Sequence, residues 1–326
     1  MIKPHTVSGE CLSYFNKTIK YIAIQYGIIR GIIIHNVKAV KTILGDNEEM
    51  KLMKIRGSTA KRINKVQGPR VDPLTVQSVE KAFRVLTAFD GANPSMSLTQ
   101  VAEAIGLDKS AAQRFTHTLT KLGYLHKDLV TKRFELGVRA LDLGNHYIQA
   151  NLLVARAMPY LLNLSKTTEE TINLSVRDDT EIVVIARFMS RQVLNLNTDV
   201  VVGTRMPAYC TAAGIAILSQ LPVEQAVDIL KRSDLRLHTP HTTCRIKDLL
   251  KKLEISASRR YATAFEELYV GDLAIAAPVL AQTGRPAGAI NISVPRMRFS
   301  PEEAEERFSP LVMATALSIS QRPDPR

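Results

Sequence analysis

The sequence predicts an α+β protein with an N-terminal winged helix-turn-helix and a C-terminal mixed α/β domain. Two patterns lead to this prediction. Over residues 73–137, short helical segments precede a β-hairpin, and over residues 151–321, two hairpins enclose a run of helices. The chain of 326 residues, of which 45% are hydrophobic, is long enough to form two cores. We therefore expect two domains joined by a linker helix over residues 138–150, with a tail over residues 322–326.

The net charge of +12 is a poor guide to function because most of it lies outside these domains. Residues 1–72 contain 13 Lys/Arg and 5 Asp/Glu, whereas residues 73–137 contain 8 and 6, and residues 138–326 contain 22 and 20. Positive charge indicates nucleic-acid binding only when it is concentrated on one surface. The pattern of the helices is therefore a better guide to DNA binding than the net charge.

Residues 1–72 differ in composition from the rest of the chain and are expected to be an atypical basic extension. Their isoleucine-rich stretch, Tyr21–Val37, is interrupted by polar residues and is too short for a membrane span. No small-residue cleavage site follows it, so a signal peptide is not indicated. We expect residues 1–50 to be dispensable, either as a disordered segment or because the chain starts at Met50 or Met53.

Local signals mark the first two helices. Val79, Phe83 and Leu86 recur at helical spacing, and the helix ends before the turn-forming stretch Asp90–Pro94. The stretch Ser97–Gln100 has the pattern of a capping box, in which the serine hydroxyl and the glutamine side chain bond to each other's backbone amides. A short second helix is therefore expected to run to about residue 104.

A third helix is expected between Asp108, which can cap its start, and Gly123, which can adopt the left-handed conformation that ends a helix. Three apolar residues are expected to face the core: Phe115, Leu119 and Leu122. Seven polar residues are left on the opposite face: Lys109, Ser110, Gln113, Arg114, His117, Thr118 and Lys121. Such a face suits a recognition helix in the major groove, although an isolated helix with these residues is more often just solvated.

The segment after the third helix favours DNA recognition. Tyr124-Leu125, a polar tip over Asp128–Lys132 and Phe134–Leu136 together predict a β-hairpin wing. Three basic residues would lie over the DNA backbone: Lys127, Lys132 and Arg133. Two short helices at a tight glycine-containing turn, followed by a wing, therefore predict a DNA-binding domain.

Alternation and helical spacing predict the elements of the second domain. Two antiparallel hairpins are expected, the first of them half-buried: Thr171–Val176 with Glu181–Phe188, and Ala274–Leu280 with Ala287–Val294. Four helices are expected: Ala212–Gln220, Val223–Arg232, Arg245–Ser256 and Pro301–Ser320.

A binding site for a small acid is expected near the turn Tyr209–Ala213. This turn opens a helix with small residues, so it offers free backbone amides and a favourable dipole to a carboxylate. Arg205 either pairs with that carboxylate or is an ordinary surface arginine beside the turn.

The sequence gives little support to catalysis. Cys11, Cys210 and Cys244 lack the spacing of a zinc site or a disulfide scaffold, which indicates a cytoplasmic protein. No phosphate-binding loop or metal-ligand motif is found, and Glu266-Glu267 are expected to point apart on a strand. We expect no enzyme activity, no cofactor and no metal, with Cys210 as a buried small residue.

The order of several motifs resembles the IclR family of bacterial transcriptional regulators over residues 75–321. In the first domain these motifs are Gln77–Ala82, Ile105–Ser110, Leu122–Leu125 and Phe134–Gly137. In the second they are Gly203–Gly214, Glu266-Glu267, Ala276–Val279 and Ala287–Ser293. Each motif is weak alone, but their order and spacing are specific.

The resemblance implies a GAF-like effector domain and control of a catabolic operon. The stretch Met206–Thr211 looks most like members that sense aromatic or hydroaromatic acids. By matching motifs, five residues are expected to line the effector pocket: Thr211, Ala212, Ala213, Asn291 and Ser293. The chain departs from the family pattern at Phe265, where an acidic residue is usual, and at Asp272, where a hydrophobic residue is usual. Asp272 either lines the pocket or caps a loop.

The expected partners are a small organic acid and a pseudo-palindromic double-stranded DNA operator, bound by a homodimer or homotetramer, with no membrane association. The effector would favour one arrangement of the DNA-reading domains, so that ligand and operator affinities change reciprocally. Two alternatives stay open: a small-molecule sensor whose helix-turn-helix contacts protein, and an enzyme that uses Cys210.

Overall fold

The computed structural model describes residue 72, residues 74–190 and residues 199–321. The predictions for the N-terminal extension and for the C-terminal tail lie outside the described residues, except at residue 72. All the elements below belong to one compact unit, Gln77–Arg326.

Three helices begin this unit, as predicted: α1 (Gln77–Thr87), α2 (Leu98–Ile105) and α3 (Lys109–Lys121). The capping box is present, because Ser97 Oγ accepts from the Gln100 amide at 3.3 Å and Gln100 Oε1 accepts from the Ser97 amide at 2.9 Å. Asp108 Oδ1 accepts from the Ala111 amide at 2.8 Å and caps α3. Gly123 has a φ of +82° just after α3, which is the left-handed conformation expected of it.

The buried face of α3 differs from the prediction at its C-terminal end. Leu119 is buried, but Leu122 is 50% exposed, so its predicted place in the core is wrong. Ala112 and Thr116 are buried in the same stripe as Leu119, and the Thr116 hydroxyl is satisfied by donating to the Ala112 carbonyl at 2.9 Å. Leu122 is the residue at which the helix ends, so the helical spacing no longer directs its side chain into the core.

The predicted wing is a hairpin of β2 (Leu125–Lys127) and β3 (Phe134–Leu136). A strand that was not predicted, β1 (Ser95–Met96), pairs with the other edge of β3. Two residues are too few to show the alternation that marks a strand. Gly137 closes the wing, and a Cβ there would lie 2.2 Å from the Gly123 carbonyl oxygen, so only glycine fits.

Two consecutive helices follow the wing. The predicted linker helix is α4 (Ala140–Ala150), and a second helix, α5 (Leu152–Thr168), was not predicted. Asn151 separates them and caps α5, since its Oδ1 accepts from the Val154 amide at 3.1 Å. Pro159 lies inside α5, which weakens the sequence signal for a helix there.

The second domain is built on one six-stranded sheet in the order β6-β5-β4-β9-β8-β7, antiparallel throughout. Its strands are β4 (Thr171–Asp178), β5 (Glu181–Phe188), β6 (Arg205–Pro207), β7 (Ala262–Phe265), β8 (Asp272–Leu280) and β9 (Pro286–Pro295). Both predicted hairpins are present, whereas the short edge strands β6 and β7 were not predicted. Glu266, expected on a strand, instead has a φ of +55° in the turn after β7.

Helices cover both faces of this sheet: α6 (Ala212–Leu218), α7 (Val223–Arg232), α8 (Ile246–Arg259) and α9 (Pro301–Gln321). One core lies between the sheet and helices α5 and α9, and another lies on the opposite face beneath α6, α7 and α8. Residues Thr171–Ser175 of β4 are therefore all buried, and the half-buried first hairpin that we predicted is wrong for this central strand. No helix in the described ranges is long and apolar enough to cross a membrane.

Candidate functional site

The first candidate site is a groove between α3 and the wing, called here the recognition groove. Its water-accessible volume is about 670 Å³. It brings together six of the residues predicted to bind DNA: Lys109, Ser110, Gln113, Arg114, His117 and Lys132. It also contains residues absent from that set, notably Thr99 at the start of α2 and Thr131 in the wing.

Positive charge dominates the recognition groove. Lys109 and Arg114 on α3 face it together with Lys127 and Lys132 of the wing, and no Asp or Glu is found among its described lining residues. A concave surface with charge of one sign attracts the opposite charge, which here is the phosphate backbone of nucleic acid.

Three predicted DNA contacts do not line the recognition groove: Thr118, Lys121 and Arg133. The Thr118 hydroxyl donates to the Arg114 carbonyl at 2.9 Å, and Lys121 lies in the last turn of α3. Arg133 is half-buried and donates to Ser95 Oγ at 3.2 Å, so it ties β3 to β1. The polar face of α3 is wider than the groove, so Thr118 and Lys121, which helical spacing places on that face, lie outside its lining.

The second candidate site is a cavity in the second domain between the sheet and the start of α6, with a water-accessible volume of about 50 Å³. Six residues predicted to bind the effector line it: Thr211, Ala212, Ala213, Asp272, Asn291 and Ser293. Four polar or charged lining residues were not predicted: Asn173, Arg187, Glu267 and Tyr269.

Strand register assembles the polar floor of this cavity. Arg187 of β5 lies opposite Asn173 of β4, and Asn173 lies opposite Asn291 of β9. The Arg187 guanidinium donates to Asn173 Oδ1 at 2.8 Å. Burial lowers the pKa of Arg187, and the carboxylates of Asp272 and Asp199 act in the opposite direction. An arginine stays charged in proteins, so the cavity contains a cation.

Arg205, predicted as a possible partner of the effector carboxylate, does not line the cavity. Its side chain is 50% exposed and forms ion pairs with Asp178 and with Glu181, the latter at 3.0 Å. It lies on the edge strand β6, where the two acids of the β4–β5 hairpin occupy its guanidinium. The structure therefore supports the alternative of a surface arginine.

Two carboxylates lie in the cavity wall. Asp272 accepts a hydrogen bond from the Ser293 hydroxyl, so of the two roles left open for this residue the structure places it in the wall. Glu267 is buried and accepts from Lys252 Nζ and from the Thr243 amide, the latter at 3.3 Å. The negative charge of Glu267 is thus compensated by Lys252, which lies outside the cavity.

The start of α6 offers fewer free amides than expected. Thr211 caps this helix with its own hydroxyl, which accepts from the Gly214 amide at 3.3 Å. Gly214 also packs tightly, since a Cβ there would lie 2.1 Å from the Ala208 carbonyl oxygen.

Cys210 is fully buried beside the cavity. Burial, with a smaller contribution from Glu267, raises the pKa of its thiol to about 12. A thiol with this pKa stays protonated at neutral pH and is a poor nucleophile. Among the described residues, no group of three or more His, Cys, Asp or Glu side chains could hold a metal ion.

Comparison with family models matches both parts of the chain. Residues 78–129 match the IclR helix-turn-helix domain, and residues 145–321 match the C-terminal domain of the bacterial transcriptional regulator IclR. The second match alone spans more than half of the chain.

Individual relatives agree with these matches. The Pca regulon regulatory protein of Pseudomonas putida is 29% identical over 265 residues, which are 81% of this chain and 89% of that protein. The p-hydroxybenzoate hydroxylase transcriptional activator of Acinetobacter baylyi is 31% identical over 244 residues, 74% of this chain and 89% of that protein. A crystal structure of a transcriptional regulator from Rhodococcus sp. RHA1 is 31% identical, with a TM-score of 0.67 over 76% of this chain and 98% of that one.

These relatives are regulators and not enzymes. The winged helix-turn-helix, the sheet covered by helices and the matched residues all agree. The chain therefore belongs to the IclR family of bacterial transcriptional regulators.

Proposed function

We propose that this regulator controls a catabolic operon in response to a small carboxylic acid, in particular an aromatic one, bound in the cavity of the second domain. The observation that carries the proposal is Arg187, a cation on the floor of a cavity whose other lining residues supply amides, hydroxyls, apolar side chains and the carboxylates of Asp272 and Glu267. A guanidinium matches a carboxylate with two parallel hydrogen bonds.

Other lining residues suit the rest of such a ligand. Asn173, Asn291 and Thr211 supply hydrogen-bonding groups, while Ile182 and Met206 supply apolar surface. Mostly apolar walls with a few convergent polar groups are typical of a small-molecule site. Two relatives bear names linked to the Pca regulon and to p-hydroxybenzoate hydroxylase, which supports an aromatic acid.

The size of the cavity favours a second candidate, a short aliphatic acid. A volume of about 50 Å³ holds roughly three to five water molecules. An aromatic acid is larger, so its binding must move a wall. The turn that carries Glu267, Leu268 and Tyr269 is the natural choice, because it contains no strand and lies between the left-handed residues Glu266 and Gly271.

For the DNA-binding half, we propose that the residues of the recognition groove contact the operator. Lys109, Arg114, Lys127 and Lys132 would neutralise phosphates or read base edges, while Ser110, Gln113 and His117 would read bases. Thr118, Lys121 and Arg133 lie at its margin and would contribute less.

We further propose that the regulator binds a pseudo-palindromic operator as a homodimer or homotetramer. No residue of α4 is buried, although it contains Leu141, Leu143 and Tyr147. Val79 and Phe83 of α1 are also half exposed. Apolar faces of this kind are typical of surfaces that pair with a second subunit.

Thermal unfolding with candidate acids tests the effector proposal. Benzoate, 4-hydroxybenzoate and pyruvate would each be titrated into the full chain, into Arg187→Gln and into Arg205→Gln. We expect an acid to raise the Tm of the wild type and of Arg205→Gln but not of Arg187→Gln, because a bound ligand stabilises the folded state and only Arg187 faces the cavity.

The matched arginine controls make the outcomes distinct. Equal stabilisation of all three proteins would contradict the role of Arg187, and a response to pyruvate alone would favour the aliphatic candidate.

A gel shift with upstream intergenic DNA tests the proposed DNA binding. Without a band that specific competitor removes, the helix-turn-helix would be assigned to protein contacts.

A further inference from the structure

The tip of the wing carries two large apolar side chains. Leu129 and Val130 are 79% and 89% exposed and lie in the turn between β2 and β3. Single exposed apolar residues are common on protein surfaces. Turns, however, are dominated by Gly, Pro, Asn, Asp and Ser, so an adjacent apolar pair at a hairpin tip is unusual.

The backbone of this turn is well ordered by hydrogen bonds. Asp128 Oδ1 accepts from the Val130 amide at 2.7 Å and from the Thr131 amide at 2.6 Å. The Asp128 amide donates to the Arg133 carbonyl at 2.9 Å, and the Lys132 amide donates to the Asp128 carbonyl at 3.0 Å. A preorganised tip loses little conformational entropy when it makes a contact.

The neighbours of the apolar pair place the tip on the DNA-binding side of the domain. Thr131 and Lys132, which follow the pair directly, line the recognition groove together with Arg114 of α3. Lys127, on the other strand of the wing, lines it too. The tip thus places two apolar side chains between cations. This arrangement is complementary to a DNA groove, in which phosphates lie on either side of sugars and base edges.

We propose that Leu129 and Val130 enter the minor groove beside the half-site read by α3 and act as an apolar wedge that opens a base step. Apolar side chains inserted in this way unstack bases and kink the duplex. Pyrimidine–purine steps open most easily, so the operator would be specified partly at bases that form no hydrogen bond with the protein. This inference rests on the proposed function, because it requires DNA binding.

The test uses the full chain and a duplex that the wild type selects from a randomised pool. A 2-aminopurine base is placed at each step flanking the half-site in turn, and its fluorescence rises where stacking is lost. The double variant Leu129→Ser/Val130→Ser should bind about tenfold more weakly, as expected for losing two partly buried apolar side chains. It should also lose the fluorescence rise and keep the salt dependence of the wild type, since no phosphate contact is removed.

Two further variants separate the wedge from other effects. Met297→Ser removes an equally exposed apolar side chain from the second domain and should change nothing. Lys132→Gln should make the dependence of log affinity on log salt concentration shallower, by the amount expected for the loss of about one phosphate contact. It should keep the fluorescence rise.

Three outcomes would overturn the proposal. A double variant with wild-type affinity and fluorescence would overturn the wedge alone. A double variant that binds DNA normally but fails in transcription with purified RNA polymerase would assign the tip to a protein partner. If the wild type selects no duplex, the DNA-binding function fails, and the wedge fails with it.

Discussion

Two arginines on neighbouring strands differ in their surroundings, and this difference is the reason for the binding role proposed for one of them. Arg187 lies on β5 and Arg205 on the neighbouring edge strand β6, and both donate hydrogen bonds to oxygen atoms of other side chains. Arg187 faces the cavity, where low dielectric strengthens its attraction for a carboxylate. Arg205 faces solvent, where its two ion pairs contribute little to stability.

At this scale we predict that Arg114→Ala weakens binding to a selected duplex by about 1–3 kcal/mol, the value of a contact to a base edge. Thr118→Ala is the matched control, because it lies on the same helix but does not line the recognition groove. Fluorescence anisotropy over a range of salt concentrations measures both. Equal effects of the two substitutions would remove Arg114 from the proposed contacts.

At the scale of elements, α3 shows where periodicity succeeds and where it fails. Its start and its polar face follow from local residues, since Asp108 caps the first turn and the outward side chains are exposed as expected. The exposure of Leu122 does not, because this residue lies where the chain leaves the helix.

The same helix provides a test of stability. Leu119→Ala should lower the free energy of unfolding of the first domain by about 2–5 kcal/mol, because it leaves a cavity in a packed core. Leu122→Ala, on the half-exposed residue, should lower it by less than about 1 kcal/mol. Urea unfolding followed by circular dichroism measures both. Similar losses for the two variants would mean that Leu122 is in the core after all.

At the scale of the whole molecule, we expect the cavity and the recognition groove to be linked through the proposed assembly of subunits. A bound acid can shift operator affinity only if it prefers one state of the protein, which we propose is one arrangement of the subunits, and operator must then shift acid affinity by the same factor. The apolar faces of α1 and α4 are the surfaces on which we expect that arrangement to depend.

We predict that Leu141→Ser/Tyr147→Ser weakens self-association, because the substitutions remove two exposed apolar side chains of α4. Sedimentation velocity over a range of concentrations should show a shift toward monomer, and operator binding should weaken in parallel. Val270→Ser, which removes another exposed apolar side chain, is the control. If the double variant sediments like the wild type, α4 is not the contact surface.

The amount that could be predicted from the sequence differs between the two candidate sites. Six of the nine residues predicted for DNA binding line the recognition groove, because the start of α2, the helix α3 and the wing hairpin form it within a short stretch of chain. The residues that line the cavity were harder to predict. Asn173 and Arg187 are polar residues inside apolar strands, and this signal could have marked them, but nothing local shows which face of the sheet they share.

The sequence by itself determined the family, from the order of motifs along the chain. It also determined both hairpins and the starts of most helices, because these depend on residues a few positions apart. Tertiary structure alone decided that Arg187 and not Arg205 faces the cavity, that Asp272 lies in its wall and that residues Thr171–Ser175 of β4 are buried on both faces. The pairing of β4 with β9 joins parts of the chain more than a hundred residues apart. Register over that distance depends on how whole faces pack, which local patterns do not encode.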